Sequence, residues 1–120
     1  MAITTPTAKD LVERNEKQKH EHKSISTLKD HFTSGNEGPR VAIITCADPR
    51  CIPEQFLHLD TFEAVVLRTA GSNVEAAIPS ILAIDSVVPL QEIMVINHTD
   101  CGATVGGSDR IGFVANLTRS

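Results

Sequence analysis

The sequence predicts an α/β fold, a parallel-sheet core with flanking helices. Three observations predict it. Short, nearly continuous apolar runs occur at VAIIT (41–45), FEAVVLRT (62–69) and EIMVINH (92–98), as expected of strands covered on both faces. The segments joining them have helical rather than hairpin character, and strand–helix–strand–helix–strand is the order of parallel strands with right-handed crossovers. A chain of 120 residues is also long enough for one buried core and too short for two. The expected organisation is a single domain over 1–120, with a helical arm at 1–33, an α/β core at 40–106 and a terminal helix at 107–120.

The arm is rich in Lys, Glu and Gln, and Leu11 and Val12 are its only strong apolar residues between Ile3 and Ile25. It cannot bury much surface by itself, so packing on a partner subunit is expected. His20, His22 and His31 lie here among charges. A pair two residues apart faces different sides of a helix, so solvated histidines are the expectation. SGNEGPR (34–40) is a turn. PEQFLHL (53–59) reads as a short helix, with His58 on its surface. In NVEAAIPSILAIDSVVPL (73–90) the apolar residues at 74, 78, 81, 82 and 88 suit a helix capped by Ser72 or Asn73. Proline is comfortable only in a first turn, so Pro79 predicts a regular helix from about 77 to 88. SDRIGFVANLTRS (108–120) reads as a last helix with Ser108 as its cap.

Composition removes several function classes. Four Phe, no Tyr and no Trp leave no stacking platform for nucleic acid, and a net charge of −4 does not suit a polyanion. No apolar run approaches the ~20 residues of a spanning helix, and the N-terminus lacks the apolar segment of a secretory signal. Three cysteines, at 46, 51 and 101, then read as thiols or metal ligands rather than a disulfide framework, with the cytoplasm as the expected compartment.

The chemistry converges on one rim. Ligands of open parallel sheets bind beyond the carboxyl ends of the strands. The first strand ends at Cys46, the third at His98, with Cys101 three residues on and Gly102 easing the turn. Two thiols and an imidazole are ligands that zinc prefers, and three protein ligands leave a position open for catalysis. Either half alone reads as core packing, since buried cysteines are often small hydrophobes. The two halves at matching strand ends, with Asp48 and Arg50 beside the first, favour a metal.

C-A-D-P-R at 46–50 and H-T-D-C-G at 98–102 resemble the C-x-D-x-R and H-x-x-C-G motifs of the beta-class carbonic anhydrases, most closely the shorter, plant-like members. VLRTAGSNV (66–74) is similar to that family's R-N-A-G-N segment, with Thr69 where Asn is usual. The resemblance runs from about Arg40 to Gly106. It implies one Zn²⁺ per chain on Cys46, His98 and Cys101. It also implies a catalytic Asp48–Arg50 dyad and a substrate pocket beside Ala70, Gly71 and Gly102. The implied reaction is reversible hydration of carbon dioxide to bicarbonate and a proton by zinc-bound hydroxide, which the metal makes available near pH ~7. In some members the Asp becomes a fourth ligand and closes the site. The accessory bicarbonate pocket of closing members uses Trp and Tyr, both absent here, so an open site is expected. A homodimer or higher homo-oligomer is implied, with the arm reaching across a partner. Members of the family continue past the H-x-x-C-G helix for several tens of residues, so the chain is expected to be C-terminally truncated. Two alternatives follow: a zinc-binding relative with little or no activity acting as an interaction protein, or an enzyme acting on another small linear substrate such as carbon disulfide. Cys51 has no matching role and reads as a packed bystander. Asp100 reads equally as an acceptor near the metal loop or as a turn cap.

Overall fold

The computed structural model describes residues 3–105 and 114–118. Helix α1 (Ala8–Gln18) starts at Thr7, whose hydroxyl accepts from the Asp10 N–H at 3.2 Å while its own N–H donates to the Asp10 carboxylate at 2.9 Å. This reciprocal box satisfies two donors that the first helical turn would otherwise leave unpaired. None of the residues of α1 is buried, so local bonds alone hold it, and isolated helices of this length are marginal in water. Helix α2 (Leu28–Thr33) is capped by Thr27 and is tied down better. The His31 ring stacks on Phe62 at 4.1 Å between centroids, and its Nε2–H donates to the Glu37 carbonyl at 2.8 Å.

Strand β1 (Val41–Cys46) occupies the middle of the parallel sheet. Helix α3 (Pro53–Phe56) leads to β2 (Val65–Thr69), and α4 (Val74–Asp85) leads to β3 (Glu92–Ile96). The strand order is β2-β1-β3-β4, with β1 parallel to both of its neighbours. The chain therefore moves from β1 to one side and then crosses to the other. A reversal of this kind opens a crevice beyond the carboxyl ends of β1 and β3. One face of the sheet packs against α4: Ala42, Ile44 and Val95 bury with Ala77, Ile81 and Leu90. Side chains alternate across a strand, so Ile43 and Thr45 point to the opposite face, where both are also buried.

Two sequence expectations are corrected. Helix α4 begins at Val74 rather than near 77 and ends at Asp85, with Pro79 inside it. The Asn73 carboxamide accepts from the Ala76 N–H at 3.1 Å and starts the helix early. Pro79 then lacks the N–H that would reach the Glu75 carbonyl. Both residues are exposed, so the lost bond falls on the solvent side. The terminal helix expected over 107–120 is also overturned, because β4 (Val114–Thr118) is a strand lying antiparallel on β3, from Ile96↔Val114 to Glu92↔Thr118. An open edge of β3 offers a row of unpaired N–H and C=O groups, and pairing with it outweighs a weak local helical pattern. The Ser108 cap lies outside the described residues.

Ile44 is fully buried between the sheet and α4, so Ile44→Ala is expected to cost about 2–5 kcal/mol. The expected reading is a lower denaturant midpoint at unchanged m-value. At α1, the Thr7 backbone N–H, and after it the Thr7 side chain, hold the Asp10 carboxyl below its ordinary value. A depressed folded pKa stabilises the helix above the unfolded value of about 3.8, and that contribution disappears as pH falls through the folded pKa. Protection of the α1 amides should accordingly drop in that acid window, and Thr7→Ala should cost the helix about 1 kcal/mol at neutral pH.

Candidate metal centre

Sheet pairing places the first half of the site. The ladder continues one residue beyond β1, where the Ala47 N–H donates to the Thr69 carbonyl at 2.9 Å. The chain then turns: the Arg50 N–H donates to Asp48 Oδ1 at 2.9 Å and the Cys51 N–H to the Asp48 carbonyl at 3.0 Å. A side chain bonding its own backbone two residues on is the Asx turn that aspartate favours. The second half follows β3, with His98, Thr99 and Asp100 leading to Cys101 and helix α5 (Gly102–Val105).

Cys46, His98 and Cys101 come together although the first and last are 55 positions apart. Their ligand atoms all lie within 4.8 Å of one another, and the two Sγ atoms are 3.5 Å apart. Two thiolates on one tetrahedral zinc, each at about 2.3 Å, stand about 3.8 Å from each other. The imidazole is oriented by the backbone, since Nδ1–H donates to the Thr99 carbonyl at 2.9 Å. Nε2 is thereby left with its lone pair, and it is buried without a hydrogen-bond partner among the described residues. A buried acceptor left unpaired is costly, and a divalent cation would satisfy it together with both sulfurs. The donor set fits zinc.

Burial pushes the Cys46 thiol up, but the N–H groups of Asp48 and Gly71, with the Cys101 side chain, bring it below its ordinary value. A thiol must lose its proton to bind metal, so these donors favour the ligating form. The Gly71 donor comes from a 3₁₀ turn at Ala70–Ser72, where Gly71 has φ 67°, a conformation that a side chain disfavours. Ser72 pins this turn to β3 by donating its hydroxyl to the Ile96 carbonyl at 2.7 Å.

Arg50 organises the rim. Its Nε donates to Asp48 Oδ1 at 3.0 Å and its Nη2 to Oδ2 at 2.8 Å, a two-pronged pairing. These side-chain bonds, with the Arg50 backbone N–H, hold the Asp48 carboxyl well below the usual carboxylate range. The guanidinium is correspondingly pushed above its ordinary value, chiefly by Asp48 and then by Asp100. Asp48 Oδ2 lies 3.9 Å from His98 Nε2, close to the ligand cluster but bonded to Arg50. Arg68, at the end of β2, donates to the Asp48 carbonyl at 2.9 Å.

The structure thus gathers Cys46, Asp48, Arg50, His98 and Cys101 at one edge. Gly71 contacts the site through its N–H, Ala70 lies beside it in the same turn, and Gly102 opens α5. The left-handed residue of the ligand turn is Asp100, with φ 57°, rather than Gly102, at which a Cβ would meet nothing. Cys51 is packed, as expected, but against the site: it buries with Cys46 and Cys101, and its Sγ lies 2.9 Å from the Thr45 hydroxyl. His58 is exposed just after α3. The bond of Arg68 to the Asp48 carbonyl was not legible in the sequence, where its one signal was its place at a strand end. Of the two readings of Asp100, the structure has the acceptor near the metal loop, with Arg50 as its donor.

A parallel α/β sheet bearing two thiols and an imidazole at its carboxyl edge, with an arginine-held carboxylate beside them, defines an α/β protein with a group that could hold a metal ion. The carbonic anhydrase family model matches residues 41–116, well over half of the chain, and the chain belongs to that family. It is similar to beta-carbonic anhydrase 1 of Mycobacterium tuberculosis, 34% identical over 79 residues that make up 59% of this chain and 48% of that protein. It is also similar to the carbon disulfide hydrolase of an Acidianus species, 38% identical over 64 residues, 52% of this chain and 31% of that protein. Among solved structures, carbonic anhydrase from Streptococcus mutans superposes with a TM-score of 0.65 at 28% identity, covering 86% of this chain and 59% of that one. That from Glaciozyma antarctica does so with a TM-score of 0.52 at 26% identity, covering 69% and 54%. The chain spans about half the length, or less, of the curated relatives it matches.

The three-atom cluster makes a specific demand on metal content. His98→Ala should weaken zinc binding by more than the roughly 100-fold that loss of an outer-shell partner costs. Cys51→Ser should keep one zinc per chain, since Cys51 stands outside the cluster. Metal analysis after titration with a competing chelator reads both, and zinc lost from the Cys51 variant would contradict the ligand set.

Proposed function

We propose that the chain is a zinc-dependent carbonic anhydrase, reversibly hydrating carbon dioxide to bicarbonate and a proton. Cys46, His98 and Cys101 would hold one zinc, and Asp48 with Arg50 would form the catalytic dyad. The observation that carries the reading is the orphaned, buried His98 Nε2 facing two thiols beside the Arg50-bound Asp48. Zinc, when bound, supplies the Lewis acidity that makes hydroxide available near neutral pH. Asp48, kept ionised by Arg50, would serve as the hydrogen-bond acceptor that orients the nucleophile toward carbon dioxide. Arg50 engages both Asp48 oxygens, which supports the open form, with the carboxylate as this acceptor rather than as a fourth ligand. The turn at Ala70 and Gly71, with Gly102 across from it, would line the approach of the substrate.

The same reading makes the protein a homodimer or higher homo-oligomer of the cytoplasm. Leu11 and Val12 of α1 are exposed, and covering them on a second copy would give the arm the packing that its own chain does not supply. Three thiols without a disulfide suit a reducing compartment. Among the described residues no helix is long and apolar enough to cross a membrane.

Stopped-flow hydration of carbon dioxide, with zinc measured on the same sample, tests the proposal. One zinc per chain and a rate well above buffer are expected, and Asp48→Asn should lose about 10- to 100-fold in rate while keeping its zinc. Full zinc with hydration no faster than buffer would leave a non-catalytic zinc protein and sink the enzyme reading.

A further inference from the structure

Asp100 sits in the turn between His98 and Cys101, in a left-handed conformation at φ 57°. Few side chains enter that region, and aspartate is among those that do. From there it receives two bonds from Arg50: Nη1 to its Oδ2 at 3.1 Å and Nη2 to its backbone carbonyl at 2.8 Å. The remaining Arg50 bonds go to Asp48, through Nε and Nη2. The guanidinium is therefore gripped along two edges, by Asp48, two positions before it, and by Asp100, 50 positions after it.

A surface ion pair of this kind contributes little to stability, because solvent screens it, and the Arg50 and Asp100 side chains are 61% and 78% exposed. Its consequence is geometric. Arg50 belongs to the loop that carries Cys46, and Asp100 to the loop that carries His98 and Cys101. A planar fork held by one carboxylate can still swing about that contact; held by a second residue, its plane is set. We propose that Asp100 is a positioning residue, a latch that acts through Arg50 to aim the Asp48 carboxylate and to seat the His98–Cys101 loop against the Cys46 loop. The inference rests on the proposed assignment of Cys46, His98 and Cys101 as zinc ligands and of Asp48 as the acceptor.

Two substitutions separate the latch from the turn. Asp100→Gly suits the left-handed φ better than aspartate does, so a merely conformational role predicts an unchanged or sturdier protein. The latch predicts the opposite in function. Asp100→Asn tolerates the same φ and keeps one acceptor without its charge, so it should fall between Asp100→Gly and the parent. Glu37→Gln, which neutralises the exposed Arg40–Glu37 pair elsewhere, controls for loss of a surface charge. In the metal-free protein, hydrogen exchange at Arg50 Nε–H, read by nitrogen-15 NMR, should quicken severalfold in Asp100→Gly. In the zinc protein, release of zinc to a chelator should quicken, and kcat should fall by about 10-fold, the lower end for outer-shell partners, with KM little changed. Native exchange, native zinc release and native kcat in a folded Asp100→Gly would overturn the latch. If that variant fails to fold, Asp100→Asn decides by the same three measurements. A parent chain that binds no zinc would sink the proposed function, while Arg50 exchange in the metal-free protein would still test the grip of Asp100.

Discussion

The parallel pairing of β1 with β3 is the constraint on which the site depends. Ile44 faces Val95 across that ladder, so the residues that follow each strand emerge side by side at the carboxyl edge. Cys46 therefore meets His98 and Cys101, a meeting that no local stretch of chain could arrange. The constraint is enforced by burial. Ala42, Ile44 and Val95 sit beneath α4, and a register slip of one residue would turn each of them to the wrong face. Core packing and ligand geometry are thus one requirement.

Around that edge the protein treats charge and burial together. Two sulfurs lie 3.5 Å apart in a buried cluster, a place that disfavours thiolates on desolvation alone. Backbone donors from the Asp48 turn and from Gly71 offset that tendency at Cys46. The carboxylate is kept at the rim instead, where Arg50 neutralises it and solvent is close. Each of the three strand ends contributes: β1 the thiol and dyad, β2 the Arg68 bond to the Asp48 carbonyl, β3 the imidazole and second thiol. The 3₁₀ turn after β2 ties them further through Ser72 and the Ile96 carbonyl.

The outline was legible because its signals are strong and local. Continuous apolar runs marked β1 and β3 almost to the residue, and the asparagine cap marked α4. What failed were weak local patterns answered by a neighbour. Pro79 predicts a delayed start of α4, yet the Asn73 cap and burial of Ala77 and Ile81 carry the helix through it. The segment at 114–118 looked helical, yet β3 had an edge to pair. Gly102 looked like the turn residue, and Asp100 adopts the left-handed conformation instead. Cys51 is packed, as the sequence suggests; that it packs beside both thiols is a matter of tertiary contact, which sequence does not display.

By itself the sequence determined the three parallel strands, the helical connections between them and the identity of the metal-suited side chains, because hydropathy period and residue chemistry are properties of short stretches. It also placed both halves of the site at strand ends. Only the tertiary structure decided which nitrogen of His98 is left without a partner, which carboxylates share Arg50 and which residue takes the strained turn. Those outcomes depend on atoms from separate strands arriving within a few ångströms of one another, and only the ladder between β1 and β3 sets that distance.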